Sequence, residues 1–216
     1  MNNINLQEKD HRILGKEMDL FHFEEHSPGM VFYHANGWNL FRNIENYIRS
    51  KLEKQNYQEV KTPIMLDKSL WIQSGHWEKF KQDMFLSLDD DRMHIVKPMS
   101  CPGHIQIYQK DLHSYRELPI RYAEFGLVHR NESSGSLNGM MRLKSFTQDD
   151  GHIFCRPDQM HDEAKQFISL LYEVYEKFGF KDIVVKFSDR PEKRFGDDDL
   201  WDQAEDALRK SCDDMN

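Results

Sequence analysis

At 216 residues the chain is long enough for one domain with a substantial core, or for two small ones. Its 38% hydrophobic and 31% charged residues are those of a soluble globular protein, and no apolar run reaches the length that crosses a bilayer, so a membrane partner is not expected. Twenty-nine basic against 37 acidic side chains leave a net charge of -8, which argues against broad nucleic-acid binding. Cys101, Cys155 and Cys212 are odd in number and widely spaced, which excludes a disulfide framework and fits a reducing compartment. Met1-Asn2-Asn3-Ile4-Asn5 lacks the basic and apolar regions of a signal peptide, so cytoplasmic residence is the expectation.

Along the chain, Asn36 is placed to cap a helix whose apolar positions Leu40, Ile44, Tyr47, Ile48 and Leu52 recur at helical spacing. The strand-like run Gln58-Glu59-Val60-Lys61-Thr62 follows and stops at Pro63. A second helix is predicted after Pro102, with Ile105, Tyr108, Leu112 and Tyr115 on one face. Strand-like runs then cover Leu118 to Glu132 and Leu143 to Thr147, joined by Ser133-Ser134-Gly135-Ser136-Leu137-Asn138-Gly139, whose residue types reverse a chain. Met160, Ala164, Phe167, Leu171, Val174 and Phe178 form the core stripe of a long helix ended by Gly179. Lys181-Asp182-Ile183-Val184-Val185-Lys186-Phe187 reads as a short strand, and Trp201, Ala204 and Leu208 as the apolar side of a last helix. There is no internal repeat and no low-complexity linker. Strand clusters interrupted by helices, without regular alternation, predict an α+β domain with an antiparallel sheet.

The densest chemistry lies between these strand-like runs. Arg130 and Glu132 are two apart, and on a strand such residues share a face. Arg142, Phe146, Gln148, Asp150 and His152 follow on the returning strand. Arginine, carboxylate, amide, aromatic and imidazole groups on one face suit a nucleotide phosphate with a small polar ligand. An isolated Arg-x-Glu would be no more than an exposed ion pair of little energetic weight. Upstream, Cys101-Pro102-Gly103-His104 has the two-residue gap common in zinc sites, so a local metal hook through His104 stays open. Otherwise His94, His104, His113, His129 and His161 read as hydrogen-bonded structural histidines, and Cys155 and Cys212 as non-ligands.

Arg121 to Asp150 resembles the second signature segment of class II aminoacyl-tRNA synthetases. Lys97-Pro98-Met99-Ser100-Cys101-Pro102-Gly103-His104 and Ser188-Asp189-Arg190-Pro191-Glu192-Lys193-Arg194 narrow the resemblance to the threonyl-tRNA synthetases, over a stretch from about Asp10 to the C-terminus. The resemblance implies a class II antiparallel sheet flanked by helices. It implies ATP and Mg²⁺ as cofactors, with Arg130 on the α-phosphate and the substrate carboxylate and Arg142 at the γ-phosphate. Glu132 would lie near the adenine amino group, and Phe146 would stack on the base. It further implies Zn²⁺ held by Cys101 and His152, with Asp150 accepting a hydrogen bond from the threonine hydroxyl, Gln148 orienting the ligand and Met99 lining the pocket. A metal suits this task, because a pocket that selects by volume separates a hydroxyl from a methyl by only about a hundredfold. A methyl cannot coordinate a metal at all.

The same resemblance makes threonine and tRNA-Thr the substrates, and assigns the helix–strand–proline segment near Asn36 to a homodimer interface. The family's third zinc histidine, its third signature segment, and its editing and anticodon-binding domains have no counterpart here. Residues 1–216 are therefore expected to be the N-terminal part of a catalytic domain, incomplete at the C-terminus and poorly active or inactive alone. Arg190 fits a family-like segment without a catalytic role. Two alternatives are a synthetase-like binding or regulatory module without catalysis, and another class II enzyme such as a prolyl- or seryl-tRNA synthetase. Cys101 and His152 weigh against the latter.

Overall fold

The computed structural model describes residues 10–89, 91–192, 194 and 196–215. The chain divides into two compact units. One is built from the chain up to Asp111 together with Tyr122–His152, the other from Leu112–Arg121 and the chain from Ile153 onward.

The first unit opens with helix α1 (His11–Glu17), whose cap is Asp10 accepting from the Arg12 amide. Strands β1 (Phe21–His22) and β2 (Phe32–Tyr33) pair antiparallel and lead into helix α2 (Ala35–Lys54). The cap of α2 is His34 rather than Asn36. The Asn36 amide donates instead to the Met18 carbonyl at 3.2 Å, tying the first turn of α2 to the end of α1. Only glycine fits at position 37, where a Cβ would stand 1.9 Å from the Leu20 carbonyl oxygen. Leu40 and Ile44, from the predicted stripe of α2, remain exposed.

Strand β3 (Gln58–Glu59) is shorter than the sequence implied. It runs parallel to β7 (Ile120–His129), with Gln58 opposite Tyr122, so this sheet is not purely antiparallel. Strand β8 (Ser145–Phe154) flanks β7 on the other side and extends well past Thr147. A second, antiparallel sheet has the order β4 (Met65–Asp67), β6 (Arg92–Val96), β5 (Phe85–Asp89). It packs with α3 (Lys68–Gln73) around the buried trio Trp71, Met84 and Ile95. After α4 (His76–Phe80), the next helix is α5 (Cys101–Gln109), which ends before Leu112 and Tyr115 can join its face. Arg130 and Glu132 lie beyond the last residue of β7, in a loop with two short 3-10 turns at Ser134–Ser136 and Gly139–Met141. The same-face argument for that pair therefore does not apply.

In the second unit, α6 (Met160–Lys177) forms where the helical spacing predicts, but its buried residues are Glu163, Ile168 and Leu170, while Phe167 and Phe178 of the expected core stripe are exposed. Gly179 just past its end takes φ 86°, a left-handed conformation that glycine adopts without strain. Helix α7 (Asp198–Met215) packs on α6. Buried Ser211 donates to the His161 and Ala207 carbonyls at 3.0 and 2.7 Å. Lys181 to Phe187 forms no strand, because β character needs a hydrogen-bonded neighbour and none lies beside it among the described residues. Helices with largely antiparallel strand pairs make the chain α+β.

Candidate active site

Three elements supply the residues singled out in the sequence: the first turn of α5, the exit of β7, and one face of β8. Side chains alternate along a strand. Phe146, Gln148, Asp150 and His152 therefore share a face of β8, and all four are half-buried while Asp149 and Gly151 are exposed.

Asp150 is tied to the start of α5, where the Ser100 amide donates to its Oδ2 at 3.1 Å. Amides in the first turn of a helix have no partner within the helix and are open to such a carboxylate. Cys101, the first residue of α5, lies in the field of the same group. Burial first, and then the Asp150 charge, push the Cys101 thiol up to about 11 against weaker opposition from its own amide and Arg130. His152 Nδ1 lies 3.9 Å from Asp150 Oδ1 and 2.8 Å from His104 Nδ1. Burial lowers the His152 pKa despite Asp150, which acts the other way, so the ring is neutral at physiological pH. Both contacts use Nδ1. Nε2 is the nitrogen they leave open.

A thiol and a neutral imidazole are donors that zinc accepts once the thiol gives up its proton. Among the described residues, no three His, Cys, Asp or Glu side chains are grouped to hold a metal ion, so Cys101 and His152 fit only as part of a coordination shell. The local hook through His104 has no free nitrogen: Nδ1 meets His152, and Nε2 lies 3.2 Å from Glu124 Oε2.

At the other end of the site, Arg130 Nε donates to the Pro98 carbonyl at 3.1 Å, and its guanidinium carbon lies 5.2 Å from the centroid of the Phe146 ring. That geometry is a cation–π contact, which holds the planar fork beside the aromatic face. Glu132 pairs with Arg142 rather than Arg130, accepting from Nε at 3.0 Å with Nη2 at 2.8 Å. Met99 packs against the Trp71–Met84–Ile95 core. Gln148 sits between Phe146 and Asp150 on their shared face. The structure thus sets the predicted residues along one face of β8, at the exit of β7 and at the start of α5, but it pairs the charged ones differently from the simplest reading of the sequence.

A family model described as the tRNA synthetase class II core domain (G, H, P, S and T) matches residues 80–208, more than half the chain. The chain belongs to this class II synthetase family. It is similar to the threonine–tRNA ligase of Prochlorococcus marinus (strain AS9601), 54% identical over 210 residues that cover 97% of the chain and 33% of that protein. The threonine–tRNA ligase of Ehrlichia canis (strain Jake) is 55% identical over 215 residues, covering 100% and 34%. A solved RNA binding domain of threonyl-tRNA synthetase from Cryptosporidium parvum Iowa II superposes with a TM-score of 0.87 at 37% identity, over 96% of the chain and 52% of that structure. The chain spans about a third of the length of the curated relatives it matches.

Within this class II core, sequence reasoning missed four buried polar residues behind His152: Thr62, Lys97, His104 in its actual role, and Glu124. Strand β7 carried a signal for one of them. Ile120, Tyr122, Glu124 and Val128 all occupy its inward parity and are buried. A carboxylate in that row must have a cationic partner.

Proposed function

We propose that the chain carries the adenylate-forming site of a threonine–tRNA ligase, which joins threonine to ATP as threonyl-adenylate and passes it to tRNA-Thr. The observation that supports this reading is Asp150, which accepts from the Ser100 amide at the start of the helix that Cys101 opens, lies 3.9 Å from His152, and shares a strand face with the Phe146 ring held against Arg130. The similarity to threonine–tRNA ligases over almost the whole chain supports it.

In the first step the threonine carboxylate attacks the α-phosphorus of ATP and pyrophosphate leaves. Charge grows on the phosphoryl oxygens, so pre-positioned cations lower the barrier. Arg130, fixed by Pro98 and Phe146, meets the α-phosphate and the incoming carboxylate, and Phe146 supports the adenine. Arg142 reaches the γ-phosphate by leaving Glu132, which is then free to accept from the adenine amino group. That exchange is inexpensive: the Arg142 side chain is 57% exposed, and such pairs contribute about 0–1 kcal/mol. Mg²⁺ bound with the nucleotide would offset further phosphate charge.

Zinc on Cys101 and His152 would supply a Lewis-acid position for which the threonine hydroxyl is a ligand and the valine methyl is not. Asp150 accepts a hydrogen bond from that hydroxyl, Gln148 orients the amino acid, and Met99 lines the pocket. Exposed Leu40 and Ile44 on α2 support a homodimer. No helix among the described residues is long and apolar enough to cross a membrane, and a cytoplasmic location fits an enzyme of translation. Contacts with tRNA-Thr fall mostly to regions of the relatives that this chain does not span.

Calorimetric titration with sulfamoyl analogues of threonyl- and valyl-adenylate tests the proposal. The threonyl form should bind well over about a hundredfold tighter in the presence of zinc, beyond what a pocket selecting by volume achieves. Equal affinity for the two, or no binding of either, would overturn it.

A further inference from the structure

Behind His152 runs a chain of hydrogen bonds sealed from solvent. Thr62 is 4% exposed, and Lys97, His104 and Glu124 are each 0% exposed. Lys97 Nζ donates to Glu124 Oε1 at 2.7 Å and to Thr62 Oγ1 at 2.8 Å. The Thr62 hydroxyl donates in turn to Glu124 Oε2 at 2.8 Å, and the Thr62 amide to Oε1 at 3.2 Å. His104 Nε2 completes the set at 3.2 Å from Oε2, and His104 Nδ1 faces His152 Nδ1 at 2.8 Å.

The donors and acceptors in this chain can be assigned from one end. Glu124 is flanked by an ammonium and takes hydrogen bonds on both oxygens, so it is a carboxylate and can only accept. The proton between Glu124 and His104 therefore belongs to His104 Nε2. Lys97 already balances the Glu124 charge, and a second proton on His104 would place an uncompensated cation where no water reaches. His104 is thus neutral and its Nδ1 carries a bare lone pair. Two imidazole nitrogens 2.8 Å apart must be one donor and one acceptor. His152 is the donor, through Nδ1–H, and its Nε2 is left as the lone pair.

We propose that His104 is a positioning residue that, anchored on Glu124, locks His152 in the Nδ1–H tautomer and so leaves Nε2 as the lone pair open to a metal. The tautomer follows from the hydrogen bonds alone, while its use as a zinc ligand rests on the function proposed above. In free histidine the Nε2–H form is the favoured neutral tautomer, so without His104 the site would have to shift that proton before any metal could bind. Groups that hold the far nitrogen of a ligating histidine commonly strengthen metal binding in this way.

Nitrogen-15 spectra of the metal-free, histidine-labelled chain test the tautomer, with His152→Gln identifying the His152 signals. The proton should sit on His152 Nδ1. In His104→Phe it should move largely to Nε2, and zinc affinity measured by competition with a chelator should fall about 10- to 100-fold. His104→Asn keeps an acceptor near the Nδ1 position and should recover much of both. A His152 proton on Nε2 in the original chain, or spectra and zinc affinity unchanged in a folded His104→Phe chain, would overturn the assignment. A correct tautomer in a chain that takes up no zinc would uphold the His104–His152 lock and remove the metal reading instead.

Discussion

At the proposed amino-acid end of the site, His152 is backed by His104, Glu124, Lys97 and Thr62 in a sealed chain of hydrogen bonds, whereas at the proposed nucleotide end Arg142 is held by one carboxylate on an open surface. In the function proposed above, the two ends face different tasks. Telling a hydroxyl from a methyl requires ligand atoms whose positions do not yield. Taking in and releasing a triphosphate suits side chains that trade one partner for another at little cost. Buried polar groups are rigid because every alternative arrangement leaves one of them unsatisfied; exposed pairs can always turn to water.

This contrast is broken or sharpened most forcefully at Lys97. Lys97→Met would leave the buried Glu124 charge with only the exposed Lys61 ammonium, 3.8 Å away, and unfolding in urea should show a loss of about 3–5 kcal/mol. A loss below about 1 kcal/mol would mean that the sealed chain is no firmer than a surface pair. The same carboxylate sets a pH dependence. Burial alone would raise Glu124, but hydrogen bonds from Lys97 and Thr62 outweigh it and hold the group down at about 2, below its ordinary 4.5. Because the folded value is depressed, the stabilisation is complete above about 4.5 and fades as pH falls toward 2. Stability measured across that window should decline in the original chain, and the part due to this residue should vanish in Glu124→Gln. Parallel declines in the two would assign the acid sensitivity to other groups.

Gly103→Ala probes the packing that closes the chain. A Cβ there would stand 2.7 Å from Thr62 Cγ2, so Thr62 would have to shift, at a cost of about 1–3 kcal/mol in thermal unfolding. Gly151→Ala is the control, since its nearest neighbour would be an ordinary 3.5 Å away. Smallest of all, Glu132→Gln at the nucleotide end should change stability by less than about 1 kcal/mol in the same assay. A larger loss would show that the Arg142 pair is structural and not free to exchange.

What could be read from the sequence followed the same division between local and distant interactions. The face of β8 that carries Phe146, Gln148, Asp150 and His152 follows from alternation alone, and α6 with its glycine stop follows from helical period and the demands of a left-handed residue. The Asn36 cap failed because a tertiary contact with Met18 claimed its amide. Ile183, Val184 and Val185 have strand-forming side chains, but propensity cannot supply the missing neighbour. The pairing of Glu132 with Arg142, ten positions away across a loop, was not legible in its spacing from Arg130. The hydrogen-bond chain behind His152 was hidden for a simpler reason. Its hydrogen-bonded partners are separated by 20 to 62 positions, and each looks ordinary until the fold brings them together.

Cobalt(II) titration of the chain, followed by the near-ultraviolet band that arises only when a thiolate binds the metal, tests the Cys101–His152 pair most directly. The band should appear with the original sequence, vanish in Cys101→Ser and weaken strongly in His152→Ala. Absence of the band in the original chain, or a band of equal strength in Cys101→Ser, would contradict a shared metal at the centre of this site.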